Sequence, residues 1–319
     1  MMRLTFDQIK AVTFGSVKTE QTENGIRFSK CTQKQIDAWY RESETLGQRA
    51  ETTTGVRLDF YTNSKNIAFC ASEGNKFELH IDGLLRKQFK MNECEGGVAR
   101  FDLTDPLGEL RDYVRVTLHL PSHEKGSLSW VELDDGATVV PHRFDTKILF
   151  IGDSITQGWQ SMTDTYSYAY RVSSFFNAES VIQGIGGAYF NENSFDSLPF
   201  DPDTVIVAYG TNDFGHYKTQ DEMRAHVRAH LALIAKEYED KRIFVISPIW
   251  RGVQQKPMGT FAECRKIVVE EAACLGLVHI DGLSLVPPLP ELFPNDLLHP
   301  DELGFSLYAE NLIAQMTKI

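Results

Sequence analysis

The chain has 319 residues, 42% apolar and 11% aromatic, with 23 glycines and 12 prolines scattered without a period. That composition excludes a disordered, collagen-like or low-complexity chain. The formal charge is −12, and no Lys/Arg cluster offers the basic face that nucleic acid requires.

The charge is uneven. Residues 1–145 hold 19 basic and 22 acidic groups, and residues 146–319 hold 13 and 22, so the second half carries a net −9 and repels anionic substrates. Met1–Lys10 has no apolar core behind a basic head, and no run of 18 apolar residues occurs. The expectation is a cytoplasmic protein with neither leader nor membrane partner. The five cysteines, Cys31, Cys70, Cys94, Cys264 and Cys274, are odd in number and form no CxxC pair. They are expected to be free, buried or half-buried thiols, with no zinc knuckle.

Length suggests two domains, placed at 1–143 and 144–319. The first reads as β-rich. Strand-like runs fall at Gly55–Tyr61, Ile67–Ala71, Phe77–Ile81, Val98–Leu103, Tyr113–Leu120 and Ser127–Glu132. Turn chemistry separates them, and Asp82-Gly83 between apolar flanks is the clearest hairpin signal. Short strands at near-regular spacing predict a β-sandwich of the jelly-roll kind.

Beyond Pro141–Thr146 the pattern changes. Lys147–Ile151 is a continuous apolar run of the kind found in a parallel sheet covered on both faces. Similar runs follow at Ser180–Gln183, Thr204–Ala208, Arg242–Ser247 and Leu277–Ile280. Helical stretches alternate with them at about Tyr166–Phe176, Gln220–Tyr238, Phe261–Leu275 and Glu302–Met316. Met223, Val227, Leu231 and Ile234 make one helix face. Strands alternating with helices predict an open parallel α/β sheet.

Four short motifs lie in this second half, each after a predicted strand or in the closing loop. Parallel sheets place ligands beyond the carboxyl ends of their strands, so these loops should converge. Gly152-Asp153-Ser154-Ile155-Thr156-Gln157-Gly158 puts a serine hydroxyl at a strand-to-helix turn. Gln183-Gly184-Ile185-Gly186-Gly187 allows close backbone approach to a ligand. It is not a dinucleotide loop, because Tyr189 stands where G-x-G-x-x-G needs glycine. Gly210-Thr211-Asn212-Asp213 offers the neutral side-chain donor Asn212. Asp296-Leu297-Leu298-His299-Pro300 spaces a carboxylate and an imidazole by one turn of chain.

Together these supply a nucleophile, a base, an orienting carboxylate and oxyanion donors. At roughly residues 147–319 the chain resembles the SGNH hydrolases, the GDSL-type esterases and lipases, in which the four blocks occur in this order. The resemblance implies a flavodoxin-like three-layer α/β/α fold and no cofactor or metal. It implies Ser154 as nucleophile, His299 as base and then acid, and Asp296 as orienter. The oxyanion hole would be formed by Ser154 N–H, Gly187 N–H and the Asn212 side chain. Gly184 and Gly186 remain alternatives to Gly187, since the family's glycine loop often begins with Asn and here Ile182 holds that place.

Other residues are weaker candidates. His226 and His230 stand at i, i+4 on a helix but lack a zincin's glutamate, so a solvated face is expected. Trp159 and Trp250, at active-face strand ends, could line a substrate pocket or pack in the core. His216 and Arg251 occupy similar loops. His279, Asp281, Cys264 and Cys274 read as structural.

A β-sandwich before such a domain is similar to carbohydrate esterase family 2 and related acetyl esterases, which remove acetyl groups from sugars. The expectation is a serine esterase acting on small acyl esters, chiefly O-acetyl groups on saccharides. The alternatives are a thioesterase or lysophospholipase, or an inactive carbohydrate-binding protein.

Overall fold

The computed structural model describes residues 1–104 and 112–318. It divides into two compact units, one of Met1–Cys31 and Glu51–Phe144, the other of Thr32–Ala50 and Asp145–Ile319. A single boundary at 143/144 therefore misplaces one segment. Residues 32–50 leave the β-rich unit because they are helical and pack on the parallel sheet, as shown below.

The first unit is two antiparallel sheets. One is ordered Lys18–Thr22, Gly25–Ser29, Ser127–Leu133, Asn66–Glu73, Ala99–Asp102, with Met2–Arg3 beside Ser127–Leu133. The other is ordered Val140–Pro141, Arg57–Thr62, Val114–His119, Lys76–Ile81, Leu84–Lys90, with Thr13–Phe14 beside Arg57–Thr62. Apolar residues of both sheets, among them Phe28, Phe60, Phe69, Phe77, Val116 and Val131, form one buried core. The hairpin at Asp82-Gly83 is present. Ile81 pairs with Leu84, and Asp82 and Gly83 take φ of 52° and 81°, the left-handed pair that a two-residue turn needs. The sequence reading omits the hairpin Lys18–Thr22/Gly25–Ser29 and the helix Phe6–Ala11.

The second unit holds a five-stranded parallel sheet: β1 (Thr146–Gly152), β2 (Ala178–Gly184), β3 (Thr204–Ala208), β4 (Arg242–Ile246) and β5 (Val278–Ile280), in the order 2-1-3-4-5. That is the flavodoxin-like order of a doubly wound sheet. Its helices are α1 (Gln33–Glu42), α2 (Glu44–Ala50), α3 (Ser154–Gln157), α4 (Tyr168–Phe175), α5 (Asp213–His216), α6 (Gln220–Glu237), α7 (Phe261–Cys274) and α8 (Glu302–Met316). On one face Ile148, Phe150, Ile182, Ile206 and Phe244 share a buried cluster with α4 and α8. The alternate residues Leu149 and Ile151 face a small pocket lined also by Gln35 and Trp39 of α1 and His230 of α6. The expected apolar face of α6 is buried at Met223, Val227, Leu231 and Ile234.

The β2–β3 connection, 185–203, carries only a short 3-10 turn at Glu192–Ser194 and no crossover α-helix. That leaves sheet surface to be covered, and α1 covers it. Thr32 and Gln35 close a capping box at its start, and Trp39 is fully buried. The Gln35 and Gln183 side-chain amides exchange hydrogen bonds of 3.1 and 2.9 Å, fixing α1 to β2. Among the described residues no helix is long and apolar enough to cross a membrane.

Candidate active site

The strand ends gather the motif residues. β1 runs directly into α3, with Asp153 as N-cap accepting from Ile155 N–H at 2.9 Å and Ser154 as the first helical residue. The turn needs glycine at 152, where a Cβ would lie 2.0 Å from Thr156 Oγ1. Burial drives the Asp153 carboxyl up to about 7, with the Ile155 N–H opposing it.

His299 Nε2 lies 2.8 Å from Ser154 Oγ, and His299 Nδ1 lies 2.6 Å from Asp296 Oδ2. Asp296 Oδ1 also accepts the N–H groups of Leu298, at 3.0 Å, and His299, at 2.9 Å. One carboxylate thus shapes the loop backbone and orients the imidazole it ends in. Between them Leu297 takes a φ of 56°, held by Gly252 N–H donating to its carbonyl at 2.6 Å.

Burial raises the Asp296 carboxyl, but hydrogen bonds from the His299 N–H and ring, with that of Leu298, outweigh it, and the net shift is downward. Burial lowers His299; Asp296 opposes this and the Arg251 charge adds to it, for a net downward shift. The pair at neutral pH is carboxylate and neutral imidazole, with Nδ1–H donating to Asp296 and Nε2 open to accept a proton.

The three glycines of the second motif differ in what their N–H groups do. Gly184 is the last residue of β2, in register with Gly152 of β1. Gly186 N–H donates to Gln157 Oε1 at 2.9 Å. Gly187 N–H, like Ser154 N–H, donates to no other group among the described residues. Asn212 precedes α5, and its Nδ2 donates one hydrogen to Ala188 O at 2.9 Å, leaving the second available. Asp213 accepts from Phe190 N–H at 3.0 Å, and burial pushes its carboxyl up to about 7.

Trp159 stands 6.3 Å, centroid to centroid, from the His299 ring. Trp250 instead packs on Phe293 at 5.0 Å, beside the buried cluster. Arg251 donates to Thr211 O at 2.6 Å, its guanidinium over the rings of Phe214 and Phe261. His216 stacks on Tyr189 at 3.7 Å. His226 bonds Glu192 at 2.7 Å while His230 is buried against the Asn191 backbone, so the two turn to different partners. No group of three His, Cys, Asp or Glu among the described residues is placed to hold a metal. Cys264 is buried, but Cys274 is exposed and takes no part in packing; it lies at the end of α7, beyond the buried face.

Two groups here escaped the sequence reading. Gln157 lies inside the first motif without an evident role until its amide is seen on Gly186. Arg49, at the end of α2, donates from Nη1 to Gly186 O at 2.9 Å and sits over the Trp159 ring at 5.6 Å. No local pattern links it to a loop 137 residues later.

Residues 150–307 match the GDSL-like Lipase/Acylhydrolase family, and the chain is an ester hydrolase. No curated protein matches the chain in sequence. Its fold is similar to that of the salicylyl-acyltransferase SsfX3 from a tetracycline biosynthetic pathway, at TM-score 0.80 and 17% identity over 96% of this chain and 94% of that one. A protein described as a GDSL-like lipase from Bacteroides ovatus gives 0.76 and 16%, over 99% and 97%. The acetyl xylan esterase Est2A from the rumen bacterium Butyrivibrio proteoclasticus gives 0.65 and 13%, over 99% and 98%.

Proposed function

We propose that the protein hydrolyses small acyl esters, chiefly O-acetyl groups on saccharides, through Ser154, His299 and Asp296, and that its antiparallel unit is a jelly roll. The observation that carries the reading is the unbroken chain of hydrogen bonds from Ser154 Oγ through His299 to Asp296 at the carboxyl edge of the sheet.

In the first step Ser154 Oγ bonds to the ester carbonyl carbon and its proton passes to His299 Nε2. The carbonyl π pair moves onto oxygen, where Ser154 N–H, Gly187 N–H and Asn212 Nδ2–H receive the charge. The tetrahedral carbon then expels the sugar oxygen, which takes the proton from His299. In the second step water loses a proton to His299 and adds to the acyl carbon. The bond from that carbon to Ser154 Oγ then breaks, Oγ takes the proton back from His299 Nε2, and acetic acid leaves, to ionise to acetate in water. The net charge of −9 on residues 146–319 favours a neutral sugar over a phospholipid or nucleotide. Trp159 supplies a flat apolar face beside His299 for a sugar ring, a role for which Trp250 is worse placed. Similarity to an acetyl xylan esterase agrees with this substrate class. Similarity to an acyltransferase raises a second reading, in which an alcohol replaces water in the second step.

Ser154→Ala tests the chemistry. It should abolish p-nitrophenyl acetate hydrolysis and fluorophosphonate labelling while leaving the circular dichroism unchanged. A series of acyl lengths beside acetylated sugars tests the substrate. Preference for eight carbons or more would move the reading to a thioesterase or lysophospholipase.

A further inference from the structure

We infer that Arg49 is a positioning residue of the oxyanion hole, acting through the Gly186–Gly187 peptide; this rests on the ester-hydrolysis reading above. Ile185–Ala188 is a β-turn, closed by Ala188 N–H donating to Ile185 O at 3.0 Å, with Gly187 at φ 87°. That φ at the third position marks a type II turn, whose central peptide is flipped by about 180° relative to type I. Two adjacent glycines leave both flips open.

A trans peptide points its C=O and its N–H in opposite directions. Whatever fixes Gly186 O therefore fixes where Gly187 N–H aims. The Arg49 guanidinium fixes it, with a charge-assisted hydrogen bond of 2.9 Å from Nη1. Two further contacts restrict the turn. Gln157 Oε1 holds Gly186 N–H at 2.9 Å. A Cβ on Gly187 would meet Arg49 Nη1 at 3.1 Å and Leu46 Cδ2 at 3.3 Å, so α2 closes over this peptide. The cation also draws electron density toward Gly186 O, which makes Gly187 N–H a stronger donor to developing negative charge. Arg49 acts on the oxyanion through this peptide, and its effect belongs to the transition state.

The test compares Arg49→Met and Arg49→Lys with the unaltered protein, using p-nitrophenyl acetate as substrate and phenylboronic acid as the probe that forms a tetrahedral adduct on Ser154. Arg49→Met should lower kcat about 10- to 100-fold, short of the roughly 10²–10³ for outright loss of an oxyanion donor, with KM within about twofold. Boronate affinity should weaken in parallel. Arg49→Lys, which keeps a donor, should recover part of both. Unchanged kcat in Arg49→Met, or a loss confined to KM, overturns the inference. If Arg49→Met fails to fold, Arg49→Lys decides: unaltered kcat and boronate affinity with a raised KM overturns it too. An unaltered protein inert to esters overturns the hydrolysis reading itself, whereas an active one beside an equally active Arg49→Met overturns only the role of Arg49.

Discussion

The two units bury polar groups in opposite ways. In the antiparallel unit they answer one another across strands. Asp59 meets Arg115 of the neighbouring strand at 2.7 Å, and Glu78 takes the Gln88 amide at 3.0 Å. In the parallel unit the groups at the strand ends are oriented by neighbours and still keep unused donors, as Gly187 N–H and Asn212 Nδ2 do. Topology explains the contrast. Antiparallel strands send alternate ends to opposite edges, whereas five parallel strands deliver every carboxyl end to one edge. The adjacent strands β2, β1 and β3 bring the three proposed oxyanion donors side by side, although their positions span 154 to 212.

Variants can break that contrast, beginning with the largest effect. Asp296→Asn keeps the loop shape but favours the wrong imidazole tautomer, and kcat for p-nitrophenyl acetate should fall about 10⁴-fold; a loss below tenfold would mean that His299 needs no carboxylate. Trp39→Ala removes a fully buried ring that stands edge-on to Tyr189 at 5.6 Å. Thermal or urea unfolding should show a loss of about 3–5 kcal/mol, and a change under 1 kcal/mol would detach α1 from the sheet's stability. Asn212→Ala should lower kcat about 10²–10³-fold with little change in KM, and the reverse pattern in steady-state kinetics would make Asn212 a ground-state contact.

The pH profile follows from His299. Neutral imidazole is the active form and its folded pKa is shifted downward. Activity should therefore be flat at neutral pH and fall only below the ordinary imidazole range, about tenfold per unit. A kcat/KM still rising above pH 7 would contradict the burial argument. The smallest effect belongs to the antiparallel unit. Gly83→Ala strains a residue at φ 81°, costing about 1–2 kcal/mol of stability, while Ser154 chemistry in the other unit should keep its kcat.

The sheet of the second unit was legible because its strands are continuous apolar runs and its helices show a face, so that Glu302–Met316 is placed to the residue. The proposed catalytic residues Ser154, Asp296 and His299 were singled out because the order and spacing of their motifs are distinctive, and the fold places them within hydrogen-bond distance of one another. The choice among Gly184, Gly186 and Gly187 was not legible, since it depends on which backbone groups have already found partners, as Gly186 N–H has in Gln157. The hairpin Lys18–Thr22/Gly25–Ser29 escaped because Lys-Thr-Glu-Gln-Thr has no apolar alternation, although Asn24-Gly25 marks its turn. The pair α1–α2 escaped because its neighbours in sequence are strands. Its signal was there in Thr32-x-x-Gln35 followed by Ile36, Trp39 and Tyr40 at helical spacing.

The placement of α1 and α2 has a consequence for synthesis. A ribosome releases these helices about 100 residues before β1, the strand they help to cover. At roughly 5–20 residues per second they wait several seconds without a partner, and isolated helices this short are marginal in water. The second unit therefore cannot finish as an N-terminal-first product, nor can it be cut out as a contiguous C-terminal fragment. A chain beginning at residue 144 would lack both the cover over Leu149 and Ile151 and the guanidinium on Gly186.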